Sequence, residues 1–375
     1  MDKLRVIISG GGTGGHIFPA ISIANAIRAL APDSEILFIG ALGRMEMQRV
    51  PDAGYEIKGL PICGFNRKNP LKNISVFIKI LKSQYMAKKI IRDFRPDVAV
   101  GVGGYASGPT LNQAASMGVP CLIQEQNSYA GVTNKLLAKK VAKICVAYDG
   151  MDRFFPSEKI IITGNPVRQA LLDVSLTKKE AKEKMGLDPE KKVILVVGGS
   201  LGARTINESI LSHMELIDPS EMQVVWQTGN YYHKEMVEAA KNSCQVKDKA
   251  LHIVPFIKDM GVAYRAADMV VSRAGASSIS EFCLLGMPVI LVPSPNVAED
   301  HQTKNAMALV DRHAALYVKD VEAKDKLLPL AVQTVGDEAK LQTLSQNIRE
   351  MALPDSARLI AEEVIKLSGK EDSGL

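Results

Sequence analysis

Long apolar runs are missing from this chain: nowhere do its 375 residues approach the roughly 20 consecutive apolar positions that a membrane-spanning helix needs. Cysteine is sparse as well. The five present, Cys63, Cys121, Cys145, Cys244 and Cys283, are scattered, odd in number and never in a Cys-x-x-Cys pair. That pattern excludes a disulfide framework and a zinc site and leaves small buried hydrophobes in a reducing compartment. No aspartate has another two positions away, so the Asp-x-Asp pair that often holds a metal on a diphosphate is absent, and no metal is expected. Met1–Val6 lead straight into a glycine cluster, which leaves no room for the apolar core of a signal peptide. Strong net charge is lacking too: at +5 the chain as a whole does not imply a nucleic-acid partner.

What is present suits an ordinary globular protein with more than one core. The apolar fraction is 46%, and the length exceeds what one core usually serves. Short β-branched runs alternate with longer helical patterns, the signature of α/β units in doubly wound parallel sheets. The first half has candidate strands at Leu4–Ser9, Ile36–Gly40, Val98–Val102, Cys121–Gln124, Ile144–Ala147 and Ile160–Thr163. After a charged stretch, Thr177–Lys192, the pattern restarts at Val193–Val197, Gln223–Thr228, His252–Val254, Met269–Ser272, Val289–Val292 and Ala315–Val318. Each half opens alike, with Val6–Ser9 running into Gly10–Gly15 and Ile194–Val197 running into Gly198–Gly202. Two such domains predict an interdomain cleft at the carboxyl ends of their strands.

Gly10-x-Gly12-x-x-Gly15 formally matches a dinucleotide fingerprint. A nicotinamide enzyme, however, needs an acid at the end of its second strand, and here Ile36–Ile39 runs into Gly40-Ala41. The Gly198–Arg204 loop supplies N–H groups, the Ser200 hydroxyl and a helix start, which favour a diphosphate. Ser272–Glu281 is a further anion site at a helix start, and Glu281 can accept two hydrogen bonds from a ribose diol. The plainer alternative for Glu281 is a surface glutamate favoured by the helix dipole by about 0.5 kcal/mol. Gly101–Pro109, with Gly103, Gly104, Tyr105 and Ser107, is expected on the acceptor side, and Glu125–Ser128 are polar groups where a core strand ends. Leu71–Phe94 sets Ile74, Phe77, Ile78, Leu81 and Tyr85 at helical spacing among Lys72, Lys79, Lys82, Lys88, Lys89 and Arg92. Beside it lie Phe65, Arg67 and Lys68, which would suit an anionic membrane surface. An ordinary helix packed on a sheet with its lysines in water explains the same pattern.

In order, the motifs Gly10–His16 with Pro19-Ala20, Gly101–Pro109, Glu125-Gln126-Asn127 with Ala130-Gly131, Thr133-Asn134-Lys135, Gly164–Arg168, Gly198–Arg204, Ser272–Glu281 and His301-Gln302 with Asn305-Ala306 stand along the chain. Over nearly its whole length the sequence thereby resembles the bacterial MurG family of N-acetylglucosaminyltransferases. The resemblance implies a GT-B fold of two Rossmann-like domains, an acceptor and membrane-binding domain over 1–165 and a donor domain over 166–350. A C-terminal helix, about 352–370, would return to the first. It also implies inverting, metal-independent and cofactor-free transfer from UDP-N-acetylglucosamine to the 4-hydroxyl of the muramyl group of lipid I, giving lipid II. Donor contacts carried over are Thr13, Gly14, Gly15, Asn127, Arg168, Ser200, the backbone at Ile257, Ala276, Ser277, Ser278, Ile279, Ser280, Glu281 and Gln302. The location implied is peripheral, on the cytoplasmic face of the bacterial plasma membrane. A role in cell shape and division follows, with other cell-wall synthesis or division proteins as partners. Leu201, Gln124 and Ser277-Ser278 stand where the family commonly has glutamine, histidine and Leu-Thr, which bears on donor selectivity.

Inverting transfer needs a base for the acceptor proton. His16 is the best-placed titratable group in the glycine loops, with Glu125 as the alternative; either could instead be structural, His16 as a cap of the following helix. Competing functions are a different GT-B transferase, such as a diacylglycerol glycosyltransferase, a nicotinamide oxidoreductase, and a non-catalytic lipid- or nucleic-acid-binding protein using the Arg67–Arg95 basic block.

Overall fold

A computed structural model describes residues 3–64, 73–167, 171–199, 201–242, 250–297 and 300–370. The chain divides into two compact units, residues 1–168 with 353–375, and residues 169–352. The first unit runs β1 (Arg5–Ser9), α1 (Gly14–Leu30), β2 (Glu35–Ala41), α2 (Glu46–Asp52), β3 (Glu56–Leu60), α3 (Asn73–Phe94), β4 (Val98–Gly101), α4 (Ser107–Ser116), β5 (Cys121–Glu125), α5 (Val132–Leu137), β6 (Lys143–Val146) and β7 (Ile160–Ile162). Its strands order as β3-β2-β1-β4-β5-β6-β7, all parallel. Because helices cover both faces, successive strand residues enter opposite layers: Ile7, Leu37, Ala99 and Ile123 pack on one side, and Val6, Ile8, Phe38, Val100 and Leu122 on the other.

The second unit holds α6 (Lys178–Lys184), β8 (Lys192–Val197), α7 (Arg204–Ser212), β9 (Met222–Gln227), α8 (His233–Asn242), β10 (Leu251–Val254), α9 (Met260–Ala266), β11 (Met269–Ser272), α10 (Ala276–Leu285), β12 (Val289–Leu291), α11 (His301–Val310), β13 (Leu316–Tyr317), α12 (Ala323–Val335) and α13 (Glu338–Glu350). Its parallel sheet orders as β10-β9-β8-β11-β12-β13. Finally α14 (Ser356–Leu367) packs on α1 in the first unit, where Ile360, Ala361 and Val364 join Ala20, Ile23, Ala24 and Ile27 in one core.

In each sheet the order reverses at one place, between β1 and β4 and between β8 and β11. The crevice outside the carboxyl ends of the strands at such a point is where open α/β sheets bind ligands. The sequence reading has no counterpart of β3. That strand lies at the sheet edge and alternates exposed Glu56 and Lys58 with less exposed neighbours, so it carries no apolar run. Three cysteines, Cys121, Cys145 and Cys283, are buried, and burial pushes each thiol up to about 12. Cys63 is only half-buried and receives the Lys79 ammonium at 3.6 Å, unlike the expected core cysteine; Cys244 lies outside the described residues.

Candidate active site

At the β1/β4 reversal two glycine loops interlock. Thr13, in extended conformation, caps α1 without a side-chain bond to the helix, and its carbonyl accepts the His16 and Ile17 N–H groups, both at 3.1 Å. The Thr13 hydroxyl stands 3.3 Å from His16 Nδ1. From the other loop, the Ser107 hydroxyl donates to the Ser9 carbonyl at 2.6 Å and also lies 3.0 Å from the Gly103 carbonyl. A methyl group on Gly103 would stand 2.8 Å from His16 Cδ2, and one on Gly104 would stand 2.3 Å from the Gly11 carbonyl oxygen. Only glycine permits that approach. His16, Gly103, Gly104 and Ser107 are therefore brought together, with half-exposed Tyr105 beside them.

Glu125 ends β5 and is buried. Its Oε1 accepts from the Asn127 backbone N–H at 3.1 Å and from Asn127 Nδ2 at 3.2 Å, while Oε2 accepts from the Gly131 N–H at 3.0 Å and from Asn134 Nδ2 at 2.8 Å. Four donors match the lone-pair capacity of a carboxylate. Glu125 thus holds the 126–131 loop in shape and has no site left for an incoming hydroxyl, a geometry that argues against its use as base. Gln126 ties this loop to the β4 loop through its amide, which donates to the Val102 carbonyl at 2.8 Å.

The β8/β11 reversal in the second unit repeats the arrangement. Gly202 has φ +84°, and a methyl there would meet the Thr228 carbonyl oxygen at 2.1 Å. The Gln227 side chain spans two loops, donating to the Gly199 carbonyl at 3.2 Å and accepting the Ile257 N–H at 2.9 Å. Of the Ile257 backbone groups expected at a donor, the N–H is thereby committed within the protein. Gly275 leads into α10 in extended conformation without a side-chain cap, so the first-turn N–H groups of Ala276, Ser277 and Ser278 point outward from the helix. The Ile279 side chain is core, and the Ser280 hydroxyl bonds back to the Ala276 carbonyl at 3.1 Å. Glu281 is no surface glutamate: it is buried, and Oε2 accepts from the Tyr264 hydroxyl at 3.1 Å. Gln302, in the first turn of α11, accepts the Ser294 N–H at 2.8 Å through Oε1. Arg168 and Ser200 lie outside the described residues. No three His, Cys, Asp or Glu side chains among the described residues converge as a metal site would require.

The core side of α3 is formed by Val76, Ser83, Ala87 and Ile91. The apolar stripe expected to suit a membrane surface points outward, not onto the sheet as the alternative had it: Phe77 is 60% exposed, Ile78 63%, Leu81 72% and Tyr85 72%. Lys82 is exposed among them. Phe65, Arg67, Lys68 and Lys72 lie outside the described residues, as does the Ile74 side chain. Among the described residues no helix is long and apolar enough to cross a membrane.

Comparison with known proteins gives this geometry a family. The glycosyltransferase family 28 N-terminal domain matches residues 6–146, and its C-terminal domain matches 193–361. A Bacteroides fragilis protein named UDP-N-acetylglucosamine--N-acetylmuramyl-(pentapeptide) pyrophosphoryl-undecaprenol N-acetylglucosamine transferase is 64% identical, covering 98% of this chain and 96% of its own. The chain belongs to this transferase family, MurG. A Bacteroides thetaiotaomicron protein of the same name is 63% identical, over 99% of this chain and all of its own (100%). Among solved structures, Acinetobacter baumannii MurG superposes with a TM-score of 0.77 at 26% identity, covering 97% of this chain and 99% of that one. A Neisseria meningitidis UDP-GlcNAc 2-epimerase shares the fold at TM-score 0.67 and 16% identity, covering 97% and 100% of the two chains. The protein is accordingly a hexosyltransferase of GT-B fold.

One buried carboxylate beside the first glycine loop has no counterpart in the sequence reading. No acid ends β2, but α2 begins with Glu46, which is fully buried (0% exposed). Its Oε1 accepts the Ala41 N–H at 3.0 Å and its Oε2 accepts the Gly12 N–H at 2.9 Å. No local pattern marks it, since its partner Gly12 is 34 positions away.

Proposed function

We propose that this transferase moves N-acetylglucosamine from UDP-N-acetylglucosamine to the 4-hydroxyl of the N-acetylmuramyl group of lipid I, with inversion and without a metal or cofactor, at the inner face of the bacterial plasma membrane. The observation that carries it is the 63–64% identity, along nearly the whole chain, to proteins bearing that name. In this reading the acceptor oxygen attacks the anomeric carbon as His16 takes its proton, and the bond to the UDP oxygen breaks on the opposite face. With Nδ1–H donated to the Thr13 hydroxyl, His16 presents its Nε2 lone pair as base. The N–H groups opening α10 and the Gly198–Gly202 turn meet the diphosphate charge, as does Ser200, so no cation is required. Arg168, Gln302 and the Ile257 carbonyl contact the donor; Glu281 holds the ribose, and Asn127 meets a sugar hydroxyl.

Incubation with labelled UDP-N-acetylglucosamine and a lipid I analogue should give labelled lipid of β configuration, undiminished by EDTA. Absence of labelled lipid sinks the acceptor assignment, and activity that EDTA abolishes and magnesium restores sinks metal independence. Glu281→Ala should weaken UDP binding by about 1–3 kcal/mol in calorimetry, because charge-assisted hydrogen bonds are removed. Unchanged affinity would remove Glu281 from the ribose.

Membrane attachment is read from α3. Each apolar side chain transferred from water contributes about 1.5–3 kcal/mol when fully buried, and each nearby lysine adds about 1 kcal/mol on anionic lipid. Leu81→Asp with Tyr85→Asp should therefore cut binding to phosphatidylglycerol vesicles by at least about tenfold without altering UDP affinity. Equal vesicle binding by the variant and the parent would rule out this face.

A further inference from the structure

Glu46 belongs to none of the loops assigned to donor or acceptor, yet it is packed against the first of them. Burying a carboxylate is costly unless hydrogen bonds replace its water. Here each oxygen takes one backbone N–H, from Ala41 at the end of β2 and from Gly12 in the glycine turn. Glycine is required on both sides of it: a methyl on Gly40 would lie 2.6 Å from Glu46 Cγ, and one on Gly11 would lie 2.2 Å from Oε1. Gly12 itself has φ +89° with no atom within 4 Å of where a side chain would begin. A glycine is free to leave this conformation, and the carboxylate beneath it grips its N–H. The same turn leads directly into Thr13 and α1, whose third residue is His16, and its Gly11 carbonyl seats Gly104.

We propose that Glu46 is a positioning residue for the transferase reaction: it clamps the Gly10–Gly12 turn, and so sets the start of α1 at the angle at which His16 meets the acceptor hydroxyl. The inference rests on the reading of His16 as base, and its test separates the two. Glu46→Gln keeps the shape but turns an NH2 group toward one of the two N–H donors, which loosens the clamp. Gly40→Ala leaves Glu46 in place and displaces its stem. Both variants should lower kcat by about 10- to 100-fold, the effect of a small misplacement of a reacting group. UDP affinity by calorimetry should stay unchanged, because the diphosphate and ribose contacts are assigned to the second unit, and so should the far-UV circular dichroism; the thermal midpoint of Glu46→Gln should fall by only a few degrees, about the cost of one buried N–H left without its acceptor. The double variant with His16→Ala should turn over no more slowly than His16→Ala alone.

Wild-type kcat in Glu46→Gln overturns the assignment, as does multiplication of the two losses in the double variant. A fall in UDP affinity in step with kcat does the same, since that describes a merely structural glutamate. If His16→Ala turns over normally, the base reading fails by itself. Lowered kcat at intact UDP affinity in both Glu46→Gln and Gly40→Ala would still support Glu46 as the clamp of the glycine turn.

Discussion

Replacing His16 with alanine is expected to lower kcat by about 10²- to 10⁴-fold, the usual contribution of a positioned general base, while UDP binds as before. The expectation follows from position. His16 sits at the third residue of α1, its ring lies over Gly103, and its Nδ1 is beside the Thr13 hydroxyl. The rival carboxylate, Glu125, is occupied on both oxygens by four N–H donors. Steady-state kinetics with a lipid I analogue, with calorimetry for UDP, decide the matter. A neutral imidazole base also imposes a fall in kcat toward acid pH, and that limb should vanish in the variant. Near-wild-type kcat in His16→Ala, or an acid limb that persists, would remove the residue from the chemistry.

The second large effect is on folding of the first unit. Gly104→Ala should lower its stability by about 2–5 kcal/mol, combining about 1–2 kcal/mol for a side chain at positive φ with about 1–3 kcal/mol for overpacking. Gly104 has φ +85°, and the added methyl would lie 2.3 Å from the Gly11 carbonyl oxygen, a backbone atom that cannot rotate away. For a unit of this size the thermal midpoint should fall by roughly 5–15 °C. Gly12→Ala is the control, because Gly12 has φ +89° but no atom within 4 Å of the new methyl. It should show only the backbone part, about 1–2 kcal/mol. Equal losses in the two variants, measured by calorimetric melting, would contradict the close packing of the two loops.

These variants address contacts that differ in how far the sequence announces them. Gly10–Gly15 and Gly101–Gly104 are legible because a buried parallel strand must be an apolar run, and a glycine cluster directly after one can only be a turn at its carboxyl end. Their mutual contact is not legible, since Gly11 and Gly104 are far apart along the chain. Glu281 was readable as an acid on an early turn of a helix, whereas its burial depends on Tyr264 from another element. In α3 helical periodicity shows that an apolar stripe exists. It does not show which stripe meets the sheet, because Val76, Ala87 and Ile91 compete with Phe77, Ile78 and Leu81 for that face, and small side chains allow the closer approach to the core.

By itself the sequence determined the class of fold, the doubled strand-and-glycine-turn plan and the family, since each is written in residues adjacent along the chain. Tertiary structure alone decided that Glu125 holds a loop, that Glu46 lies under the glycine turn, and that the Phe77–Tyr85 stripe of α3 is exposed. The physical reason is common to all three. A hydrogen bond or a packed face is settled by which groups the folded chain brings within a few ångströms, and for these groups the distance is set by the stacking of whole strands and helices.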